Sequence, residues 1–308
     1  MNTTTDYTHQ EARTDFICPL CGYNDCRNVF TCTDYFVSDK KFNIVSCNNC
    51  GLRITQNNLN ESELDTYYHS VNYISHSNTR KGATNRIYHI ARKWMLKKKR
   101  KWIEKHISGS EKNLLDVGCG TGYFAAYMQK HGWSVLGVEK NDATRAFISK
   151  KFEFKVESSV RDIDKNSQFN VITLWHVLEH LSDLNNAMQP FSRLLTRQGT
   201  LFIAVPNYTS VDAAKYRNHW VAYDVPRHLW HFAPAQMQRL AEKHGFQVTA
   251  IKPLHLDGFY ISILSEKYKG SSIYFIKGFL SGLNTWLKAL ANIEKSSSLL
   301  YVLEKLPE

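Results

Sequence analysis

The sequence predicts an α/β protein built on a mostly parallel sheet, with a small cysteine-bound module in front of it. Three observations carry this expectation. Short apolar runs rich in β-branched residues alternate with helix-like segments from Asn113 onward. A glycine-rich turn stands between the first such run and a helix-like stretch. Two Cys-x-x-Cys pairs lie near the N-terminus.

The runs are NLLDVG, WSVLGVE, FNVITLW and GTLFIAVP, followed near the end by FQVTAIKPL and SLLYVLEKL. A helical stretch over about 259–292 lies between the last two. Residues 1–15 are polar and read as a disordered tail, 16–56 as the metal-binding module, 57–110 as a helical connector and 111–308 as the main domain. In the connector, 59–78 reads as a short helix and a Tyr-rich loop, and 83–107 as a long helix. Tyr88, Met95 and Trp102 recur every seven residues on one face with Ala91, and KKKRK is expected to face elsewhere.

Composition sets limits. Hydrophobic residues make up 43% and charged residues 22%, which suits a globular chain. No apolar run reaches the roughly 18 residues of a membrane span, and the polar N-terminus lacks a secretory apolar region, so a cytoplasmic location is expected. The formal charge of +11 is concentrated: residues 80–105 hold eleven Lys/Arg and one Glu. A surplus of that kind draws an anionic partner, whether a phosphorylated small molecule, a nucleic acid or an anionic membrane; a solvated helix face is the plain alternative.

Six of the seven cysteines lie between positions 18 and 50. Cys18-Pro-Leu-Cys21-Gly and Cys47-Asn-Asn-Cys50-Gly are separated by 25 residues. Each pair can aim two thiolates at one point, and four sulfurs suit a closed, structural Zn²⁺ site in a zinc-ribbon-like module. Cys26 and Cys32 are spaced irregularly and read as bystanders.

The glycine turn reads Asp116-Val117-Gly118-Cys119-Gly120-Thr121-Gly122. A dinucleotide fingerprint would place its third glycine at 123, which is Tyr123. The acidic residue and Gly-x-Gly-x-Gly spacing instead resemble the first motif of class I S-adenosylmethionine (AdoMet) methyltransferases. Three later features fit the same family: Glu139, 23 residues after Asp116, at a strand end; Trp175-His176 leading into Leu178-Glu179-His180; and LLTRQGTLFIAVPN, similar to the family's strand-and-Pro-Asn segment. Asn170 departs from the family's usual Asp. The resemblance covers residues 113–250. It implies a Rossmann-like fold, AdoMet as cofactor, and Asp116, Gly118, Cys119, Gly120, Gly122, Glu139, Trp175 and His176 as its binding residues. Glu139 would accept both hydroxyls of a ribose.

The cysteine pairs resemble the zinc-binding domain ahead of sugar C-methyltransferases. That likeness places Tyr67, Tyr68 and Tyr73 facing substrate or cofactor; surface aromatics packed between two domains are the alternative. If the acceptor gives up a proton, a general base is needed. HWVAYDVPRHLWHF is dense in candidates. Aligned on its terminal Phe-Ala, His228 falls on the base of those enzymes, although their preceding glutamate is Arg227 here. His228 ranks first, followed by His231, Tyr223 and His180. Arg227 could instead bind an acceptor phosphate or carboxylate. The expected activity is methyl transfer to a small, anionic acceptor such as a nucleotide-linked sugar. RNA modification and methylation of a lipid or quinone precursor are the alternatives. The apolar stretch before the last strand reads as helices on the sheet edge, with a lid, a dimer contact or an interfacial helix as other readings.

Overall fold

The computed structural model describes residues 16–56, 59–68, 83–107 and 111–307, with the side chains of 61 and 83–91 outside the description. The expected N-terminal tail, Tyr73 and most of the Tyr-rich loop lie outside the described residues. Among the described residues, eleven strands form two sheets.

The large sheet contains β4 (Asn113–Val117), β5 (Ser134–Val138), β6 (Lys155–Glu157), β7 (Phe169–Trp175), β8 (Leu195–Pro206), β10 (Phe246–Pro253) and β11 (Ser298–Lys305). Its order is β10-β11-β8-β7-β4-β5-β6, and β11 alone runs against its neighbours. Both faces are covered. Leu115, Ile172, Leu174, Leu201 and Ile203 enter one core, while Leu114, Val171, Phe202 and Ala204 enter the other. Double burial is why these strands read as continuous apolar runs rather than alternating ones. At three residues, β6 is too short to leave a periodic signal, and the sequence did not reveal it. Asn170, the departure from the family pattern, uses its side-chain oxygen to accept the Asn113 amide at 3.1 Å.

The helices are α1 (Glu61–Thr66), α2 (Ala83–His106), α3 (Tyr123–Gln129), α4 (Asp142–Lys151), α5 (Leu184–Leu194), α6 (Val211–Tyr216), α7 (Pro234–Lys243), α8 (Asp257–Tyr268) and α9 (Tyr274–Ala291). Ile103 of α2 and Phe124 and Met128 of α3 cover one face, and α5 and α7 cover the other. Asn60 caps α1 through a reciprocal box with Glu63. The expected stretch 259–292 is two helices, because Gly270, at φ +73°, follows the end of α8 and turns the chain.

The small sheet contains β1 (Cys26–Thr33), β2 (Lys41–Cys47), β3 (Arg53–Gln56) and β9 (Trp230–His231), in that order. β9 comes from the other end of the chain and pairs with β3 through Arg53–His231 and Ile54–Trp230. Cys18, Leu20, Cys47 and Leu52 share one core with β7 and β8. The N-terminal module is therefore built into the main domain, and not joined to it by a connector alone.

Candidate active site

From β4 the chain moves outward through β5 and β6, then returns to β7 on the other flank of β4. The carboxyl ends of β4 and β7 thus flank a switch point, where open α/β sheets bind ligands. The turn 118–122 leaves β4 there, and Trp175-His176 ends β7.

Gly118, Gly120 and Gly122 have φ of +65°, +52° and +74°, a region that side chains with a Cβ avoid. A Cβ on Gly118 would lie 2.5 Å from Val177 Cγ2, whereas one on Gly120 would meet nothing within 4 Å. Gly118 is glycine for packing, and Gly120 borders open space, as a ligand cradle requires. The Cys119 amide donates to the Val138 carbonyl at 2.9 Å and ties the turn to β5. Glu139 accepts the Gly120 amide at 2.9 Å and the Asn141 amide at 3.0 Å. These two bonds orient its carboxylate beside the cradle, and each oxygen keeps capacity for a ribose hydroxyl.

Charge flanks the turn. Asp116 is buried and accepts the Thr173 hydroxyl at 2.7 Å. Burial raises its pKa, partly offset by the nearby Lys99 ammonium. Lys99, inside the KKKRK run of α2, does not face outward as expected. Its Nζ lies 3.8 Å from the Trp175 ring centre and 5.5 Å from that of Phe124. Burial lowers its pKa, and Asp116 and Asp257 oppose that. The methionine end of AdoMet is a zwitterion, and an anion and a cation side by side suit it. The open space at Gly120, the oriented Glu139 and these two opposite charges near the turn make the residues fit the cofactor.

Beyond the turn lies an imidazole cluster. His176 has φ +56°, a rare conformation for a residue with a Cβ. Its Nε2 is 3.1 Å from Asp257 Oδ2, and its Nδ1 is 3.4 Å from Glu179 Oε1. Burial pulls its pKa down, but the two carboxylates win and raise it to about 10. Glu179 is fully buried, and neither oxygen has a donor in hydrogen-bonding geometry. Burial would raise its pKa, yet the surrounding imidazoles lower it.

The rings of His180 and His228 meet edge to face at 4.5 Å. His180 Nδ1 is 3.1 Å from the Tyr68 hydroxyl and 3.2 Å from the Arg227 carbonyl. Burial and the adjacent His228 push its pKa down to about 4. His228 Nδ1 faces the Ala222 carbonyl at 2.9 Å. A carbonyl only accepts, so Nδ1 carries hydrogen and Nε2 is the basic nitrogen. Asp224 Oδ2 lies 3.8 Å from that Nε2. Position 227 holds Arg, and the carboxylate beside His228 comes from position 224.

A family model described as "Methyltransferase domain" matches residues 88–251, more than half of the chain. The chain belongs to this methyltransferase family. It is an AdoMet-dependent methyltransferase with the expected Rossmann-like fold. A ubiquinone biosynthesis O-methyltransferase of Pelagibacter ubique (strain HTCC1062) is 27% identical over 184 residues, 54% of this chain and 74% of that protein. One of the same name from Coxiella burnetii (strain RSA 331 / Henzerling II) is 27% identical over 169 residues, covering 50% and 72%. Among solved structures, the plantazolicin methyltransferase BpumL in complex with SAH aligns with a TM-score of 0.51 at 12% identity, over 79% of this chain and 94% of that one.

In the methyltransferase, the other base candidates are tied to residues of β3. His231 lies on β9, buried, with Nε2 2.9 Å from the Thr55 hydroxyl. Burial holds its pKa well below the usual range. The Tyr223 hydroxyl accepts from Arg53 at 2.6 Å, and burial raises its pKa. Both belong to the wall shared with the small sheet. Arg227 does not present itself to an acceptor: it is 1% exposed and ion-paired with Asp224 and Asp34. Tyr67 packs on Phe42 inside the small module, so of the tyrosines described only Tyr68 reaches the cluster. Sequence reading missed Lys99, Asp224 and Asp257 as members of the site. Only the PRH-flanking position of Asp224 offered a signal.

Among the described residues, two groups could hold a metal. Glu179, His180 and His228, which belong to the imidazole cluster, each bring a donor atom within 4.8 Å of the others. Cys18, Cys21, Cys47 and Cys50 do likewise with four sulfurs. There the Cys18–Cys50 and Cys21–Cys47 Sγ distances are 3.5 and 3.6 Å. A tetrahedral ion with bonds of about 2.3 Å spaces its sulfurs about 3.8 Å apart. Gly22 and Gly51, at φ +73° and +76°, close each knuckle by donating to Cys18 and Cys47 carbonyls at 2.8 and 3.0 Å. Cys26 and Cys32 lie outside this set.

Proposed function

We propose that the enzyme methylates an acceptor that gives up a proton during transfer, and that His228 takes this proton. The observation that carries the reading is His228 itself: its Nδ1 is committed to a carbonyl, its Nε2 faces Asp224, and its ring meets that of His180. When bound, AdoMet supplies the methyl group as part of a sulfonium electrophile. Gly118, Cys119, Gly120 and Gly122 would line its cradle, with Glu139 on the ribose and Asp116, Lys99, Trp175 and His176 around the methionine end. His228 accepts the proton from a hydroxyl or an acidic carbon, and Asp224 stabilises the resulting imidazolium. His180, kept neutral, packs against it and holds Tyr68 in place. Glu139 and Asp116 orient; Trp175 and Phe124 exclude water.

The acceptor is small and anionic, such as a nucleotide-linked sugar. Support comes from the ridge of Lys93, Lys97, Lys101 and Lys105 exposed along α2. The cysteine knuckles support a structural Zn²⁺ that braces the wall behind His231. A second reading, a lipid or quinone precursor as acceptor, is favoured by the outward apolar face of α9 and by what the relatives above are called. Incubating the enzyme with methyl-labelled AdoMet and a panel of nucleotide-linked sugars and phenolic quinone precursors tests the choice. Label on the sugars supports the first reading, and label on the phenols alone replaces it with the second.

A further inference from the structure

Helix α9 is built inside out. Its buried residues are small: Gly278, Ser281, Gly282, Thr285 and Ala289. Its large apolar residues face solvent, with Phe275, Ile276, Leu280, Leu287 and Leu290 each 52–62% exposed. The contact with α8 is correspondingly close. A Cβ on Gly278 would lie 2.4 Å from Ile263 Cα, and one on Gly282 would lie 2.7 Å from Phe259 Cα. Gly278-x-x-x-Gly282 is the small-residue spacing that lets helices pack closely where lipid, rather than water, surrounds them. A contiguous exposed apolar face of this length marks an interaction surface.

We infer that the α8–α9 hairpin lies flat in the surface of an anionic lipid bilayer, with the outer face of α9 among the acyl chains. No helix among the described residues is long and apolar enough to cross a membrane, so the contact is in-plane. Charge selects the partner. α9 carries Lys277 and Lys288, both exposed, and no Asp or Glu. Two copies meeting on this face would bring like charges together, whereas anionic headgroups neutralise them. Helix α2 adjoins: His255 is 6.4 Å from Trp286 of α9 and within electrostatic reach of Lys98 of α2. The sequences of 1–15 and 69–82 are mostly polar, and their large apolar residues, Val71 and Ile74 among them, are too few to match a face of this length. Docking would hold the active site near membrane-borne material. It stands apart from the acceptor assignment, and AdoMet binding does not depend on it.

The test is co-sedimentation of the full chain with vesicles of phosphatidylcholine alone and of phosphatidylcholine and phosphatidylglycerol in equal parts. The wild type should sediment with the anionic vesicles, less so as salt rises. Phe275→Ser with Leu287→Ser should lower that binding at least about tenfold, since each apolar side chain leaves the lipid. Lys277→Glu with Lys288→Glu should lower it about fivefold or more on anionic vesicles only. AdoMet titration unchanged in both variants shows that they fold. The inference is overturned if the wild type binds neither vesicle, or if the Phe275/Leu287 variant binds as well as the wild type. It is equally overturned if ultracentrifugation shows a wild-type dimer that this variant reduces to monomers, which would make the face a contact between copies.

Discussion

The Lys99 ammonium stands 3.8 Å from the centre of the Trp175 ring, where it also feels the Asp116 carboxylate. A helix N-terminal to the glycine turn thus sets a cation beside the end of β7. A cation on an aromatic face is held by the ring's quadrupole and needs no second hydrogen bond.

Lys99→Met should weaken AdoMet binding about tenfold, the usual scale for losing one charge-assisted contact. Calorimetry reads it, and unchanged affinity would remove Lys99 from the site. Affinity of the wild type should also fall on both sides of neutrality. Burial raises Asp116 and lowers Lys99, so acid neutralises the first and alkali the second. A flat profile would show that the pair does not grip the cofactor.

Gly120→Arg should abolish AdoMet binding. A Cβ there meets nothing within 4 Å, so the backbone strain at φ +52° is the local cost, and the guanidinium then fills the cradle. A cooperative but somewhat lowered thermal unfolding with lost binding is the expected combination. Retained binding would move the cofactor elsewhere.

His228→Ala should cut turnover about a hundredfold or more while AdoMet affinity is kept, the typical effect of removing a general base. Asp224→Asn should give a smaller loss of turnover, because the imidazole stays and loses only its carboxylate neighbour. Equal turnover in wild type and His228→Ala would eliminate this histidine as the base.

Stability should decline with alkali through His176. Its folded pKa, about 10, lies above the ordinary 6.5 because Asp257 and Glu179 outweigh burial. The stabilisation is complete below pH 6.5 and is lost as pH rises toward 10. The melting temperature should fall over that interval, and less steeply in His176→Gln. Parallel curves for the two proteins would contradict the pairing.

Cys18→Ser with Cys47→Ser should remove bound zinc and lower the melting temperature, since one sulfur is lost from each knuckle. Elemental analysis checks the metal. A full zinc complement in the double variant would reject this ligand set.

Much of the cofactor half was legible from local pattern. The turn 118–122 needs glycine wherever φ is positive or space is short, and such needs are written one residue at a time. Strand and helix order followed from apolar runs, because a doubly covered sheet leaves long ones. The knuckles were legible for the same reason: Cys-x-x-Cys-Gly is a complete local device. Four residues in the base region were less clear. His180, His228, His231 and Tyr223 were named together, but the structure pairs only the first two.

The sequence by itself determined the kind of protein: a Rossmann-like sheet, a glycine cradle, and a four-cysteine cluster before it. Tertiary structure decided which charged and basic groups meet. Lys99 of α2 reaches Trp175 of β7, Asp224 turns back toward His228, and β9 crosses to join the small sheet. Periodicity reports which face of an element is buried, but not what lies opposite it. Ion pairs and imidazole contacts depend on that second fact, and it exists only once the chain has packed.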